Sequence, residues 1–383
     1  MLWIVGAAGL VRALDKLAGG DQGFLHFLAQ QFSHKEWEGF AFYDLIFPLF
    51  VFLVGASVAF SMTRALGKEG KAAAYRRIFK RFVLLYLVAL IYSGGVSQPW
   101  PEIRLMGVLN RIALCYLVTS LAFCHLRGRG LAALCGTVLV GYWLLMTYVP
   151  FPDLRPRHPN GELVSESLQA KSVKELNWET KTTLKGVFEP GVNLAHYIDQ
   201  KYLPGKKWDG TWDPEGILST LPAIGTCLLG SLAGLLLLST GLTDQRKVLI
   251  LLGAGAASVA LGFLWGLQFP VIKKIWTSSY VLVAGGYSAL LLAAFHQVIE
   301  VWKIQWWIQP FVWVGSNSIT IYLANNLMGF GKVAERFVGG DVSAFLDAKI
   351  RPGAGQLLVA AVAVGIGLAL VRFLHQKRIF LRL

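Results

Sequence analysis

Apolar runs recur along this chain near 1–18, 40–63, 78–98, 105–125, 129–149, 216–239, 246–267, 278–300, 306–328 and 354–374. Each is about twenty residues long, the length needed to cross the hydrocarbon core of a bilayer. Polar residues gather in short connections between them, with one long exception at 151–215. No segment shows the period-two alternation that a membrane barrel would require. The pattern predicts an all-α, polytopic membrane protein of about ten transmembrane helices in two five-helix bundles. The first bundle covers 1–149 and includes the loop carrying His34. An extracytoplasmic loop follows at 150–215, then a second bundle with a cytoplasmic tail at 216–383.

Composition sharpens this picture. Hydrophobic residues make up 55% of the chain and charged residues 15%, too apolar for a soluble protein of this size. Charge placement then orients the spans, because Lys and Arg accumulate in short cytoplasmic connections. Arg64, Lys68, Lys71, Arg76, Arg77, Lys80 and Arg81 crowd the connection after the second span, and Arg372, Lys377, Arg378 and Arg382 follow the last. Both termini are expected in the cytoplasm. The formal charge of +14 does not point to nucleic acid, since the basic residues sit at span ends, where they meet anionic lipid head groups. Lys71, Arg76, Arg77 and Lys80 also make a candidate site for a phosphorylated donor, although a plain topology signal is the better explanation of them.

Cys115, Cys124, Cys135 and Cys227 all fall in apolar runs and read as small hydrophobes. The seven histidines form no zinc spacing, so no metal is expected. There is no phosphate-binding glycine loop after a strand and no nucleophile elbow.

The chemistry-bearing residues are few. In SHKEWEGFAFYDLIFPLFVFLVG, His34 precedes an apolar run and Asp44 lies about one turn inside it. Ionisable groups at membrane depth are costly and usually functional; the alternative is an interfacial histidine and a carboxylate paired with an arginine such as Arg111. Asn110 and Arg111 sit about two turns into the fourth span, and Asp213, Pro214 and Glu215 open the sixth. All lie in the extracytoplasmic half by depth. WDPEG is also a good helix start, with Asp213 as cap and Glu215 facing the positive end of the dipole. Gly315, Ser316, Asn317 and Ser318 interrupt the ninth span, either as helix glue or as a broken helix lining a cavity. Trp178, Trp208, Trp212 and Tyr197, in the long loop, are candidates for stacking on sugar rings or for an interfacial belt.

Several stretches together resemble the heparan-alpha-glucosaminide N-acetyltransferase family, and within it the bacterial NagX-type inner-membrane branch. They are HKEWEGFAFYDLIFPLFVFLVG (34–55), RLMGVLNRIALCY (104–116), NLAHYIDQKYLPGKKWDGTWDPEGILSTLPAIGTCLLGSLAG (193–234), IKKIWTSSYVL (272–282) and GSNSITIYL (315–323). The resemblance implies acetyl-CoA as donor from the cytoplasm, an amino-sugar acceptor on the far side, no metal, and residence in a bacterial inner membrane. It leaves a homodimer open. It implies His34 as the catalytic residue, acting as base or as acetyl carrier. Depth and polarity make Asp44 its candidate catalytic partner, and Asn110, Arg111, Asp213, Glu215 and Asn317 candidate substrate-binding residues. Two features depart from the family: its opening Ser-Leu-Asp-x-x-Arg-Gly segment has no match, which leaves open a native start upstream or a shortened sequence, and Gly6, Ala7, Ala8 and Gly9 stand where an asparagine is expected. The competing reading is a proton-coupled permease for amino sugars or N-acetylglucosamine, with Asp44 and Arg111 as its relay.

Overall fold

The computed structural model describes residues 6–19, 23–158, 162–165, 168 and 170–381. The helices in chain order are α1 (Ala8–Ala18), α2 (Phe24–Gln31), α3 (Ile46–Lys68), α4 (Gly70–Tyr92) and α5 (Val108–His125). They continue as α6 (Gly128–Tyr148), α7 (Leu194–Tyr202), α8 (Thr220–Leu238), α9 (Asp244–Gly266) and α10 (Ser278–His296). The last five are α11 (Gln309–Ser316), α12 (Ser318–Met328), α13 (Phe330–Val338), α14 (Asp341–Lys349) and α15 (Ala354–Gln376). The chain is therefore mostly helical, as its periodicity predicts.

Among the described residues, seven helical stretches are long and apolar enough to span a membrane: Phe42–Lys68, Val108–His125, Gly128–Tyr148, Thr220–Leu238, Asp244–Gly266, Ser278–Val301 and Ala354–Gln376. The other three expected spans take different forms. The first lies partly outside the described residues, and α1 has 11 residues. The third is α4, which starts at Gly70 rather than near 78. Lys71, Arg76, Arg77 and Lys80 thus ride on a helix and not on a loop. Ala72–Ala74 and the long basic side chains are strong helix formers, so one residue, Glu69, suffices between α3 and α4. The ninth is broken at Asn317, where the run of small and polar residues ends α11 and lets α12 begin.

The chain separates into two compact units. One comprises Lys35–Phe40 and Phe47–Val301. Its helices approach closely through small residues, as helices in lipid do: Ser231 Oγ donates to the Gly55 carbonyl at 2.9 Å, and Ser258 Oγ to the Leu282 carbonyl at 2.7 Å. Leu249, Ile250, Leu261 and Leu264 of α9 point outward, a face suited to hydrocarbon.

The 151–215 segment, expected to be an exposed loop, instead folds onto this unit. Phe151–Pro152 pairs antiparallel with Thr183–Leu184. Phe151, Val192, Leu194 and Ala195 are buried with Tyr142, Met146, Phe269, Ile272 and Ile275. Its apolar residues outweigh the turn signals of its prolines.

The second unit comprises Met1–His34, Ala41–Ile46 and Trp302–Leu383. Its core gathers Val314, Ile321, Phe330, Ala334, Ala363 and Val371, with α15 as the element common to most contacts.

Candidate active site

His34 and Asp44 form a hydrogen-bonded pair, Nδ1 to Oδ1 at 2.7 Å. The local sequence explains it. Phe42–Leu45 is a 3-10 turn leading into α3. Asp44 closes that turn in the manner of the third residue of a capping box: its backbone N–H donates to the Ala41 carbonyl at 2.9 Å, and its Oδ2 accepts the Ala41 N–H at 3.2 Å. The second oxygen is left for the imidazole. Gln31 Oε1 accepts the Phe42 N–H, and the Tyr43 ring lies 4.6 Å from that of His34. The Asp44 side chain is 1% exposed and that of His34 51%. A buried carboxylate holding an accessible imidazole through Nδ1–H leaves the basic lone pair on Nε2, the arrangement of a general base or nucleophile with its orienting acid.

Downstream of His34, the motif's Trp37 and Gly39 have structural tasks. Trp37 Nε1 donates to the Phe188 carbonyl at 2.9 Å. Gly39 adopts φ +111°, which a side chain would oppose, and donates to the Val271 carbonyl at 2.9 Å.

A second polar cluster forms around WDPEG. Arg104 binds Asp213 through two bonds, Nε to Oδ2 at 2.8 Å and Nη2 to Oδ1 at 2.7 Å, and Nη2 also reaches Glu215 at 2.7 Å. Planar bidentate recognition of this kind is what guanidinium geometry favours. Asp213 also accepts the backbone N–H groups of Trp208 and Glu215, both at 3.0 Å. Behind it lies Asp199 of α7, whose carboxylate accepts the Ile217 N–H at 2.8 Å and the Asp213 N–H at 3.4 Å. Gly216 is required here, because a Cβ would fall 1.9 Å from Asp199 Oδ2. Burial lifts the Asp199 carboxyl to about 7. Burial also raises Glu215, against the pull of the nearby guanidinium groups.

Asn110 and Arg111 join this cluster from the start of α5. Arg111 Nη2 donates to the Pro214 carbonyl at 2.8 Å and to Ser219 Oγ. Asn110 Oδ1 and Arg104 Nη1 both border Gly107. The sequence reading placed Asn110, Arg111, Asp213 and Glu215 at one depth, and the structure brings these four together. It missed Arg104, which connects Asp213 with Glu215, as well as Asp199 and His196. Arg104 begins a family-like block, and its position just ahead of a span was the signal.

His196 is buried, stacked on Trp212 with ring centroids 3.7 Å apart, and its Nδ1 accepts the Gly191 N–H at 2.8 Å. Desolvation holds it well below the usual imidazole value, so it is neutral. Trp212 is thus committed to His196 and not open to a sugar ring, whereas Trp208 and Trp178 remain exposed. Asn317 is 2% exposed at the break between α11 and α12. No group of three or more metal-ligating side chains occurs among the described residues.

Residues 20–165 match the family model described as heparan-alpha-glucosaminide N-acetyltransferase, catalytic. That range contains His34, Asp44, Asn110, Arg111 and the basic residues of α4. The human heparan-alpha-glucosaminide N-acetyltransferase is 28% identical over 351 residues, covering 77% of this chain and 49% of that protein. The mouse protein of the same name is 27% identical over 349 residues, covering 78% and 49%. The chain spans about half the length of these curated relatives. With the family model on the stretch that holds the His34–Asp44 pair and two curated proteins aligned over most of the chain, the protein is similar in sequence to the heparan-alpha-glucosaminide N-acetyltransferases.

Proposed function

We propose that this protein is an acetyl-CoA-dependent N-acetyltransferase of a bacterial cytoplasmic membrane, acting on an amino sugar of the glucosamine type. The hydrogen bond between His34 and buried Asp44 carries the reading, because it supplies an oriented base within the matched stretch. The acceptor amine attacks the thioester carbonyl carbon, and the C–S bond breaks. His34 Nε2 takes the amine proton and passes it to the departing sulfur, giving free CoA and the N-acetyl sugar. Asp44 stabilises the imidazolium formed on the way. The cluster of Arg104, Asn110, Arg111, Asp213 and Glu215 serves as substrate-binding surface. Lys71, Arg76 and Lys80 face the donor's phosphates from the cytoplasm, with Arg77 paired to Glu69 beside them, and both termini lie on that side.

The test is acetyl transfer to glucosamine by detergent-purified protein. His34→Ala should abolish transfer while leaving the thermal midpoint intact. Asp44→Asn should lower kcat by about 10²–10⁴-fold, the span of a general-base contribution. Full activity in His34→Ala removes the histidine from the mechanism. An Asp44→Asn protein that melts early, yet whose folded fraction turns over normally, reduces Asp44 to a structural turn residue.

A permease is the second reading, favoured by the break at Asn317 inside an apolar segment, a feature of transporter helices. A permease moves labelled sugar unchanged into reconstituted vesicles without acetyl-CoA.

A further inference from the structure

Arg111 is 0% exposed and Asn110 1%. Arg111 uses one nitrogen, Nη2, on Pro214 and Ser219. Among the described residues, its Nε and Nη1 and both polar atoms of the Asn110 side chain have no partner. Unspent donors on a buried cation are costly, and native proteins retain few of them without a reason.

What holds this guanidinium is Trp276. Its ring centroid lies 4.9 Å from the Arg111 guanidinium carbon. Trp276 is 1% exposed and has φ +51°, a conformation that bulky L-residues rarely adopt and that surrounding structure must enforce. The enforcement is visible. Trp276 N–H donates to the Lys273 carbonyl at 3.0 Å, and the Thr277 N–H to the Ile272 carbonyl at 3.1 Å. Thr277 Oγ1 accepts the Ile272 N–H at 3.0 Å and caps α10 through the Tyr280 N–H. The indole itself is fixed at both ends. Its Nε1 donates to Thr226 Oγ1 at 3.1 Å, and Phe47 and Tyr280 meet it edge-on at 5.0 and 5.3 Å. A tryptophan that only filled volume would not need a left-handed backbone. Here that backbone turns the indole face toward Arg111.

We propose that Trp276 is a positioning residue that locks Arg111, so that Nε–H and Nη1–H bind an uncharged substrate oxygen, either an acyl carbonyl or a sugar hydroxyl. The oxygen is uncharged because the cluster's two guanidinium groups are already matched in number by its two carboxylates, Asp213 and Glu215, both of them bonded to Arg104. This deepens the substrate-binding role given to the cluster above, and rests on it.

Trp276→Leu, Trp276→Phe, Arg111→Gln and the Trp276→Leu/Arg111→Gln double variant test the proposal. Binding of acetyl-CoA and of glucosamine is measured by thermal shift on purified protein, which needs no turnover, and KM and kcat are measured beside it. Trp276→Leu should weaken one substrate about tenfold or more and leave the other unchanged, while Trp276→Phe restores most of the loss. Adding Trp276→Leu to Arg111→Gln should cost nothing further, as expected for two residues acting as one. Loss confined to acetyl-CoA identifies the acyl carbonyl; loss confined to glucosamine identifies the hydroxyl. Equal weakening of both substrates, multiplicative effects in the double variant, or unchanged binding in Trp276→Leu overturns the proposal. Selective loss of binding in a protein that performs no acetyl transfer keeps the Trp276–Arg111 site and overturns the transfer reading instead.

Discussion

Asp199 is the residue with the clearest dependence on pH. Burial raises its carboxyl to about 7 from an ordinary 3.8, although two backbone N–H groups favour the charged form. The folded state therefore holds this proton more tightly than the unfolded chain does. The resulting stability is fully present below about pH 4 and is lost as pH rises to about 7, at most about 4 kcal/mol for three units. Asp199→Asn cannot titrate. Its thermal midpoint relative to the wild type should rise by about 3 °C or more between pH 5 and pH 8, and a constant difference across that range would show that Asp199 is ionised throughout. At this scale the sequence was a partial guide. The pairing of His34 with Asp44 was visible as two ionisable residues ten apart at a membrane edge. The alternative partner for Asp44, Arg111, instead gives its Nη2 to Pro214 and Ser219. Asp199 and Arg104 escaped notice because their meaning depends on a fold of 151–215 that brings α7 and the start of α5 to the same turn, and no local spacing encodes that.

Elements were more legible than residues. Uninterrupted apolar runs became membrane-length helices, because length and composition alone decide that outcome in lipid. The failures cluster where composition was mixed. In α4 good helix-forming residues extended the helix into the basic stretch, so its charges are set at helical spacing, with Arg76 and Lys80 sharing a face. Arg77 is already paired with Glu69 at 2.9 Å, and Arg81 turns inward, 4.8 Å from the Tyr116 ring. Lys71, Arg76 and Lys80 are then the residues with charge to offer a donor. Neutralising these three should raise the KM for acetyl-CoA about tenfold and change kcat much less. Wild-type KM should climb steeply with salt, whereas the variant's should not. Unchanged donor kinetics in a correctly inserted variant would return these residues to topology alone.

For the whole molecule, the proposed reaction differs from ordinary acetyl transfer in its sidedness. In this proposal the basic residues of α4 and the WDPEG cluster sit at opposite membrane faces, since positive charge between spans marks the cytoplasmic side and Asp213 precedes a span expected to start from the other face. Under the proposal the donor would bind where its phosphates meet positive charge, and the acceptor would enter the WDPEG cluster from the far side. An enzyme built this way joins two substrates that never share a compartment. Sealed vesicles with the cytoplasmic face outward provide the test. Radiolabelled acetyl-CoA is supplied outside and glucosamine is trapped inside. Labelled N-acetylglucosamine should accumulate in the lumen while free CoA appears outside, and His34→Ala vesicles should yield neither. Glucosamine supplied only on the outside should give little product. Product formed only when both substrates share the outer side would mean that the acceptor reaches the site from the cytoplasm and that the assigned topology is inverted or irrelevant to catalysis. Passage of unmodified glucosamine in the absence of acetyl-CoA would instead mark the protein as a permease.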